Sequence, residues 1–242
     1  MCYSLSLYSD VKTLMRRFEA RPAEGLSVGR AYYVSAFAFP EIPVIANEAP
    51  GLIQAFRWGL VPAWVDSETR ANEIRKKTLN ARFETLFRRP SFKEAVRKRR
   101  CLVLADGFFE FREVGGRKYP YFIHLRSGEP LALAGLWEAW RHPRTGRMVK
   151  TFSIVTVPAN PLLARIHNTK KRMPLILVPE VERAWLDRPL KEGEIWELTA
   201  RFDESMLEAY PVSRRIASRN VDGTRMALLE RRDYPGLEGD QS

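Results

Sequence analysis

The chain is poor in cysteine. Cys2 and Cys101 are the only two in 242 residues, which leaves no disulfide framework and no thiolate zinc site to expect. Free thiols fit a reducing, cytoplasmic setting. Histidine is almost as scarce, with only His124, His142 and His167, and none falls in a metal-ligand spacing, so neither a metal nor another cofactor is expected. No apolar run approaches the ~20 residues of a membrane-spanning helix. The N-terminus lacks the basic-then-apolar pattern of a secretory signal, so no membrane partner is expected. A P-loop and a GxSxG elbow are missing, as are a fixed-period repeat and a Pro/Gly/Ser-rich linker. These absences leave one folded unit, expected over 1–235, with a polar tail over 236–242 that ends LEGDQS.

What the chain does have is apolar material and positive charge. Hydrophobic residues make up 45% of it, enough for a sizeable core, and the net charge is +11. The charge is concentrated: RANEIRKKTLNARFETLFRRPSFKEAVRKRR, residues 70–100, holds twelve Lys/Arg against three Glu. Such a run is either a solvated helical face or a phosphate-binding surface.

Periodicity organises the rest. Val11, Leu14, Met15 and Phe18 recur at helical spacing behind a Ser9 or Asp10 cap. Residues 31–45 read as extended, with Pro40 and Pro43 confining them to edge or irregular structure. Residues 55–64 begin as a strand and end in a Gly/Pro turn. Short helices and loop occupy 70–100, closing in a helix capped by Ser91. CLVLADGFFEF (101–111) is a strand broken at Asp106-Gly107. Further strands fall at 119–125, 131–140, 149–158 and 172–179, and short helices at 159–168 and 180–187. With no regular strand–helix alternation, the expected class is α+β: a single domain with an antiparallel, barrel-like β-sheet core and peripheral short helices.

The chemistry-bearing candidates begin with Cys2. Read alone, a cysteine there is either a small buried apolar residue or a group whose use depends on being terminal. Initiator methionine is removed before small residues, and a terminal cysteine carries an amine and a thiol on adjacent carbons. The amine condenses with an aldehyde to an imine, and the thiol closes on the same carbon to a five-membered thiazolidine. The free α-amine titrates near ~8, and its ammonium form favours the neighbouring thiolate. Asn80 can orient an amine or stabilise an oxyanion, or make an Asx turn. Glu110, between Phe109 and Phe111, is a desolvated proton shuttle if it faces inward; strand alternation would equally turn it outward. His167, beside the basic NTKKR, is a base or a helix C-cap. His124 reads as structural and His142 as an exposed turn residue.

Taken together, MC at the start, WGLVPAW (58–64), NARFET (80–85), CLVLADGFFEF (101–111), LALAGLWE (131–138), FSIVTVPAN (152–160), IH (166–167), RMPLIL (172–177) and PVSR (211–214) resemble the SOS response-associated peptidase (SRAP) family of abasic-site-processing proteins. The pieces occur in the family's order along almost the whole chain. The resemblance implies a monomeric, DNA-associated protein with a basic groove for single-stranded DNA containing abasic sites. It implies capture of the ring-opened aldehyde by Cys2 after loss of Met1, the short leader to which the family's peptidase label refers. Asn80 would hold the amine and sugar, Glu110 would assist ring opening, and His167 would transfer protons. Arg82 would contact phosphate. Trp58 and Trp64 would lie beside the groove, Trp64 suited to base stacking and Trp58 to the core.

Where the family opens M-C-G-R, this chain has Tyr3 and Ser4. Phe39 and Pro40 stand where a DNA-unstacking wedge is expected. The family's H-D-R-M-P is lengthened to HNTKKRMP, which adds Lys170 and Lys171 beside Arg172 as phosphate contacts. H-P-V-S appears as YPVS with Tyr210. The alternative reading is a thiol peptidase with Cys2 as nucleophile and His167 as base.

Overall fold

The computed structural model describes residues 2–27, 29–187, 191–199, 202–218 and 220–237. The chain begins with β1 (Ser4–Leu7) and α1 (Val11–Phe18). The Asp10 carboxylate caps α1 by accepting from Thr13 N at 2.9 Å; the helix buries Leu14 and leaves Met15 exposed. Then come β2 (Arg21–Pro22), β3 (Ala31–Ser35), β4 (Glu41–Ala46) and β5 (Leu52–Trp58). Ser67 caps α2 (Glu68–Arg75), which leads to β6 (Asn80–Arg82) and α3 (Ala95–Lys98). The central strands are β7 (Arg100–Ala105), β8 (Gly107–Val114), β9 (Arg117–Leu125), β10 (Leu131–Arg141) and β11 (Met148–Pro158). Asn160 caps α4 (Pro161–Ile166), with proline at its first position, where no N–H is needed. The chain continues through β12 (Arg172–Pro174), β13 (Ile176–Leu177), α5 (Pro179–Asp187), α6 (Glu192–Thr199) and β14 (Leu207–Pro211).

The strands form an α+β fold around a barrel. Antiparallel ladders run β5–β4–β7–β10–β11, and β11 returns to β5 in parallel through Thr151↔Arg57 and Phe152↔Trp58. Five strands of alternating direction cannot close without one parallel pair, so this contact is the seam of the ring. β6 and β12 flank β11, β13 pairs with β10, and β2 pairs with β5. A second antiparallel sheet has the order β14–β9–β8–β1–β3. The Asp106-Gly107 break expected from the sequence is where the chain leaves the barrel (β7) for this second sheet (β8). Asp106 secures the crossing by accepting from Tyr8 N and from the backbone and hydroxyl of Ser9. A Cβ at Gly107 would sit 2.5 Å from the Phe122 ring, so only glycine fits the crossing.

Several local expectations are corrected. β4 is not an edge strand; it lies between β5 and β7. Its ladder with β7 starts only at Val44, so Pro43 is paired on one side alone and no ladder hydrogen bond is missing there. Ser91 caps nothing: the helix starts at Ala95, with Glu94 at its N-cap and no side-chain bond. Residues 80–82 form a strand, and 172–179 splits into β12 and β13. Among the described residues no helix is long and apolar enough to cross a membrane. From 238 onward the expected polar tail lies outside the described residues.

Candidate active site

The nucleophile candidate sits at the junction of the two sheets. β1 runs antiparallel to β8 with Leu5 opposite Phe108, so the residues before Leu5 lie along those after Phe108; continued, that register sets Tyr3 opposite Glu110, and the Glu110 charge acts on both Cys2 and Tyr3. β6 runs parallel to β11 with Asn80 at the level of Ile154. That brings Asn80 to Cys2 from the barrel side: Asn80 Nδ2 donates to the Cys2 carbonyl at 2.8 Å. Its Oδ1 is buried and, among the described residues, accepts no hydrogen bond.

Cys2 is fully buried. Burial pushes its thiol well above the usual cysteine range, and the Glu110 charge pushes the same way. With residue 1 in place, burial therefore dominates at this thiol; the effect of a free ammonium on Cys2 itself belongs to the chain without Met1.

Glu110 is also buried. Alternation does turn it away from Phe109, but neither face of β8 is solvated there. Phe109 packs with Phe122, Val212, Ile216 and Leu228 on one side, while Glu110 faces Cys2 and His167 on the other. Burial raises the Glu110 carboxyl above the usual carboxylate range, with His167 opposing the shift. His167 is the C-cap of α4, and its N–H donates to Leu163 O at 2.7 Å. The capping and base readings are compatible, since the cap uses only the backbone. Its Nδ1 lies 2.8 Å from the Arg172 carbonyl and 3.7 Å from Glu110 Oε2. A carbonyl only accepts, so Nδ1 carries a proton.

Two cavities flank this group, and Tyr3 lines both. One, of about 320 Å³, is lined by Glu110 and His167 with Lys118, Thr169 and Lys170 at its walls. The other, of about 340 Å³, is lined by Asn80 and Arg82 with Lys76, Lys77 and Arg89. The basic run thus divides. Lys76, Lys77, Arg82 and Arg89 line a cavity, whereas Arg99 pairs with Glu138 at 2.7 Å and Arg100 is buried on the carbonyls of Val96 and Trp185.

The remaining predicted residues fare unevenly. Arg82 is exposed, as are Lys170 and Lys171. Trp64 is half exposed, with the Arg70 guanidinium 5.0 Å from its ring centre. Trp58 is wholly core: it stacks on Phe152 and its indole donates to Leu79 O at 2.8 Å, so it leaves the set of contact residues. Arg172 is corrected too. Its side chain is 11% exposed and ion-paired to Glu84, with a further hydrogen bond to Thr156 O. It braces the loop whose carbonyl holds His167 and has no free face for phosphate. Phe39, in the left-handed conformation beneath Arg75, and the half-buried Pro40 line neither cavity. The exposed aromatic beside the nucleophile is instead Phe37, 64% exposed and stacked on Tyr3 at 5.1 Å.

Sequence reasoning missed Phe37, since AFAFP does not say which phenylalanine faces out. It also missed Lys118, and Asn168, whose amide bonds both to N–H and to C=O of Glu113 and so ties the lengthened loop to β8. Ser4, buried, donates to the Tyr33 hydroxyl at 3.0 Å.

Comparison with known proteins agrees along the length of the chain. A model of the family "SOS response associated peptidase (SRAP)" matches residues 1–219. The abasic site processing protein YoqW of Bacillus subtilis is 32% identical over 223 residues, which cover 90% of this chain and 95% of that protein. The abasic site processing protein HMCES of Gallus gallus is 35% identical over 162 residues, 59% of this chain and 47% of that one. A crystal structure of a protein from Bacteroides thetaiotaomicron superposes with a TM-score of 0.87 at 36% identity, covering 96% of this chain and 100% of its own.

Proposed function

The chain belongs to the SOS response associated peptidase family, and from that premise we propose that it processes abasic sites in DNA by capturing the lesion covalently through Cys2. The observation that carries the reading is the convergence of three distant side chains on residue 2: Asn80 bonded to its carbonyl, and the Glu110–His167 pair beside it.

The substrate is the ring-opened aldehyde of an abasic site in single-stranded DNA. With Met1 removed, the Cys2 amine adds to the aldehyde carbon. The carbinolamine loses water, leaving an imine. The thiol then adds across the C=N bond, giving a thiazolidine whose nitrogen carries hydrogen; the net change is one water released. Burial raises the Cys2 thiol, which favours the amine as the first nucleophile, the thiol reacting as its proton is taken. His167 Nε2 suits that proton transfer, with Nδ1 committed to the Arg172 carbonyl. Glu110, its carboxyl raised by burial, is matched to protonating the sugar ring oxygen and the departing hydroxyl. Asn80 Oδ1, without a hydrogen bond among the described residues, would accept from the freed amine. Lys76, Lys77, Arg82, Lys118 and Lys170 supply charge for the flanking phosphates, and the exposed Phe37 a face for a base.

A thiol peptidase acting on other proteins fits less well, because the thiol is buried and held protonated. The test is a labelled abasic oligonucleotide. A heat-stable adduct is expected, abolished in Cys2→Ala and abolished when residues are fused ahead of Cys2. An adduct that survives that fusion overturns the thiazolidine chemistry, because the amine is then no longer free.

A further inference from the structure

We propose that the arginine-lined cavity over the outer face of the second sheet is a second phosphate-binding site, taking the nucleic-acid backbone outside the catalytic cavities. The site is built by the segment after β14, most of it beyond the stretch matched by the family model. Residues 212–232 contain six arginines, no lysine and two acids. The segment folds back on the sheet: Val212, Ile216 and Leu228 pack on Phe109 and Phe122. Gly223 O accepts from Tyr32 N and Tyr33 N, and Arg232 N donates to Pro211 O at 2.9 Å. A Cβ at Gly223 would meet Tyr33 O at 2.2 Å, so the close approach requires glycine.

The resulting cavity, about 790 Å³, is lined by Arg215, Arg225 and Arg232 with Ser213, Ser218 and Asn220. Asp222 is its one acidic lining residue, and that carboxylate is committed to Thr224 and Arg225. Arg232 pairs with Glu230, which does not line the cavity, and Arg215 has no carboxylate within ion-pair distance among the described residues. Guanidinium groups with neutral hydroxyl and amide donors suit phosphate oxygens, which arginine grips in a fork that lysine cannot form.

This cavity shares no lining residue with either catalytic cavity, and the segment that builds it packs on Phe109, the neighbour of Glu110 on β8. The reading rests on the proposed action on DNA: a strand held at Cys2 extends beyond the catalytic cavities, and this surface is an electropositive place for it to continue. Free phosphorylated metabolites share the same chemistry, and the test separates them.

The variant is Arg215→Ala/Arg232→Ala, both exposed and outside the catalytic group. Affinity for undamaged single-stranded oligonucleotides of about 6 and about 30 nucleotides is measured against salt, since single-strand sites span ~4–16 nucleotides per binding surface. The slope of log K against log salt should fall by about 1.4 for the long strand, at ~0.7 for each phosphate no longer neutralised, and stay unchanged for the short one. Capture of a short abasic oligonucleotide should proceed at the wild-type rate. An unchanged long-strand slope overturns the inference, as does an equal fall for both lengths, which would mark a diffuse field rather than a site. Pyrophosphate or a nucleoside triphosphate that raises the melting temperature of wild type but not the variant, with DNA slopes unmoved, reassigns the cavity to a small ligand and overturns it too. If wild type captures no aldehyde yet its long-strand slope still falls in the variant, the second site stands and the capture reading fails.

Discussion

The Asn80–Cys2 hydrogen bond is the most direct handle on the proposed chemistry. Asn80→Ala removes the donor that lies 2.8 Å from the Cys2 carbonyl and leaves that acceptor unpaired beside a fully buried side chain. An unsatisfied buried group costs about 1–3 kcal/mol. If Asn80 holds the terminal residue in its reactive pose, the capture step is weakened by the same amount, a fall of about 5- to 150-fold in rate. Asn80→Asp keeps the size but turns a carboxylate oxygen onto the carbonyl, so acceptor faces acceptor and the loss should be greater than for alanine. The backbone of β6 stays paired to β11 through residues 80–82 in both variants, so the fold is retained. Single-turnover capture at saturating abasic oligonucleotide measures the rate, and binding of undamaged DNA provides the control. Capture by both variants within about twofold of wild type would refute the argument, being smaller than the ~5-fold floor.

Three further predictions test neighbouring parts of the structure. Glu110→Gln should raise the melting temperature at pH 8 and have no effect well below the ordinary carboxylate range. The folded-state pKa of Glu110 is raised, so wild-type stability falls as pH rises through it while glutamine carries no charge to desolvate; a thermal gain as large in acid as in base would contradict this. Phe37→Ala should leave stability intact, because the ring is 64% exposed, yet weaken abasic-oligonucleotide binding by about 1–3 kcal/mol, the usual worth of one base–aromatic stack; unchanged affinity would remove Phe37 from the DNA path. Gly135→Ala should destabilise the barrel by about 1–3 kcal/mol, since its Cβ would sit 2.7 Å from Cys101 Sγ and 2.8 Å from Val103 Cγ2 between β7 and β10; a denaturant midpoint equal to wild type would show that the ladder yields freely.

Local patterning determined much of this protein. The amphipathic spacing of 11–18, the strands over 101–111 and 119–125 and the Asp-Gly break at 106–107 follow from side-chain patterning and turn chemistry, which act over a few residues. Residue chemistry offered Cys2, Asn80, Glu110 and His167 as candidates with a structural use open for each, and it was the resemblance to the family that gave them roles. What the sequence could not determine depended on contacts between distant segments. Pro43 reads as an edge signal, yet it is tolerated between two strands because one ladder begins a residue later. Alternation turns Glu110 away from its aromatic neighbours, but only the second sheet's packing buries that face as well and raises the carboxyl. Arg172 and Lys170 are near neighbours in a basic run, yet Glu84, brought in from β6's end, claims the first and leaves the second at the cavity wall. Phe37 and Phe39 are two residues apart in AFAFP, and only the short helical turn over 36–38 and the stack on Tyr3 decide which one faces solvent beside the nucleophile. Periodicity is local and survives in the sequence; burial, pairing of charges and the choice of exposed face are set by whatever the rest of the chain packs against.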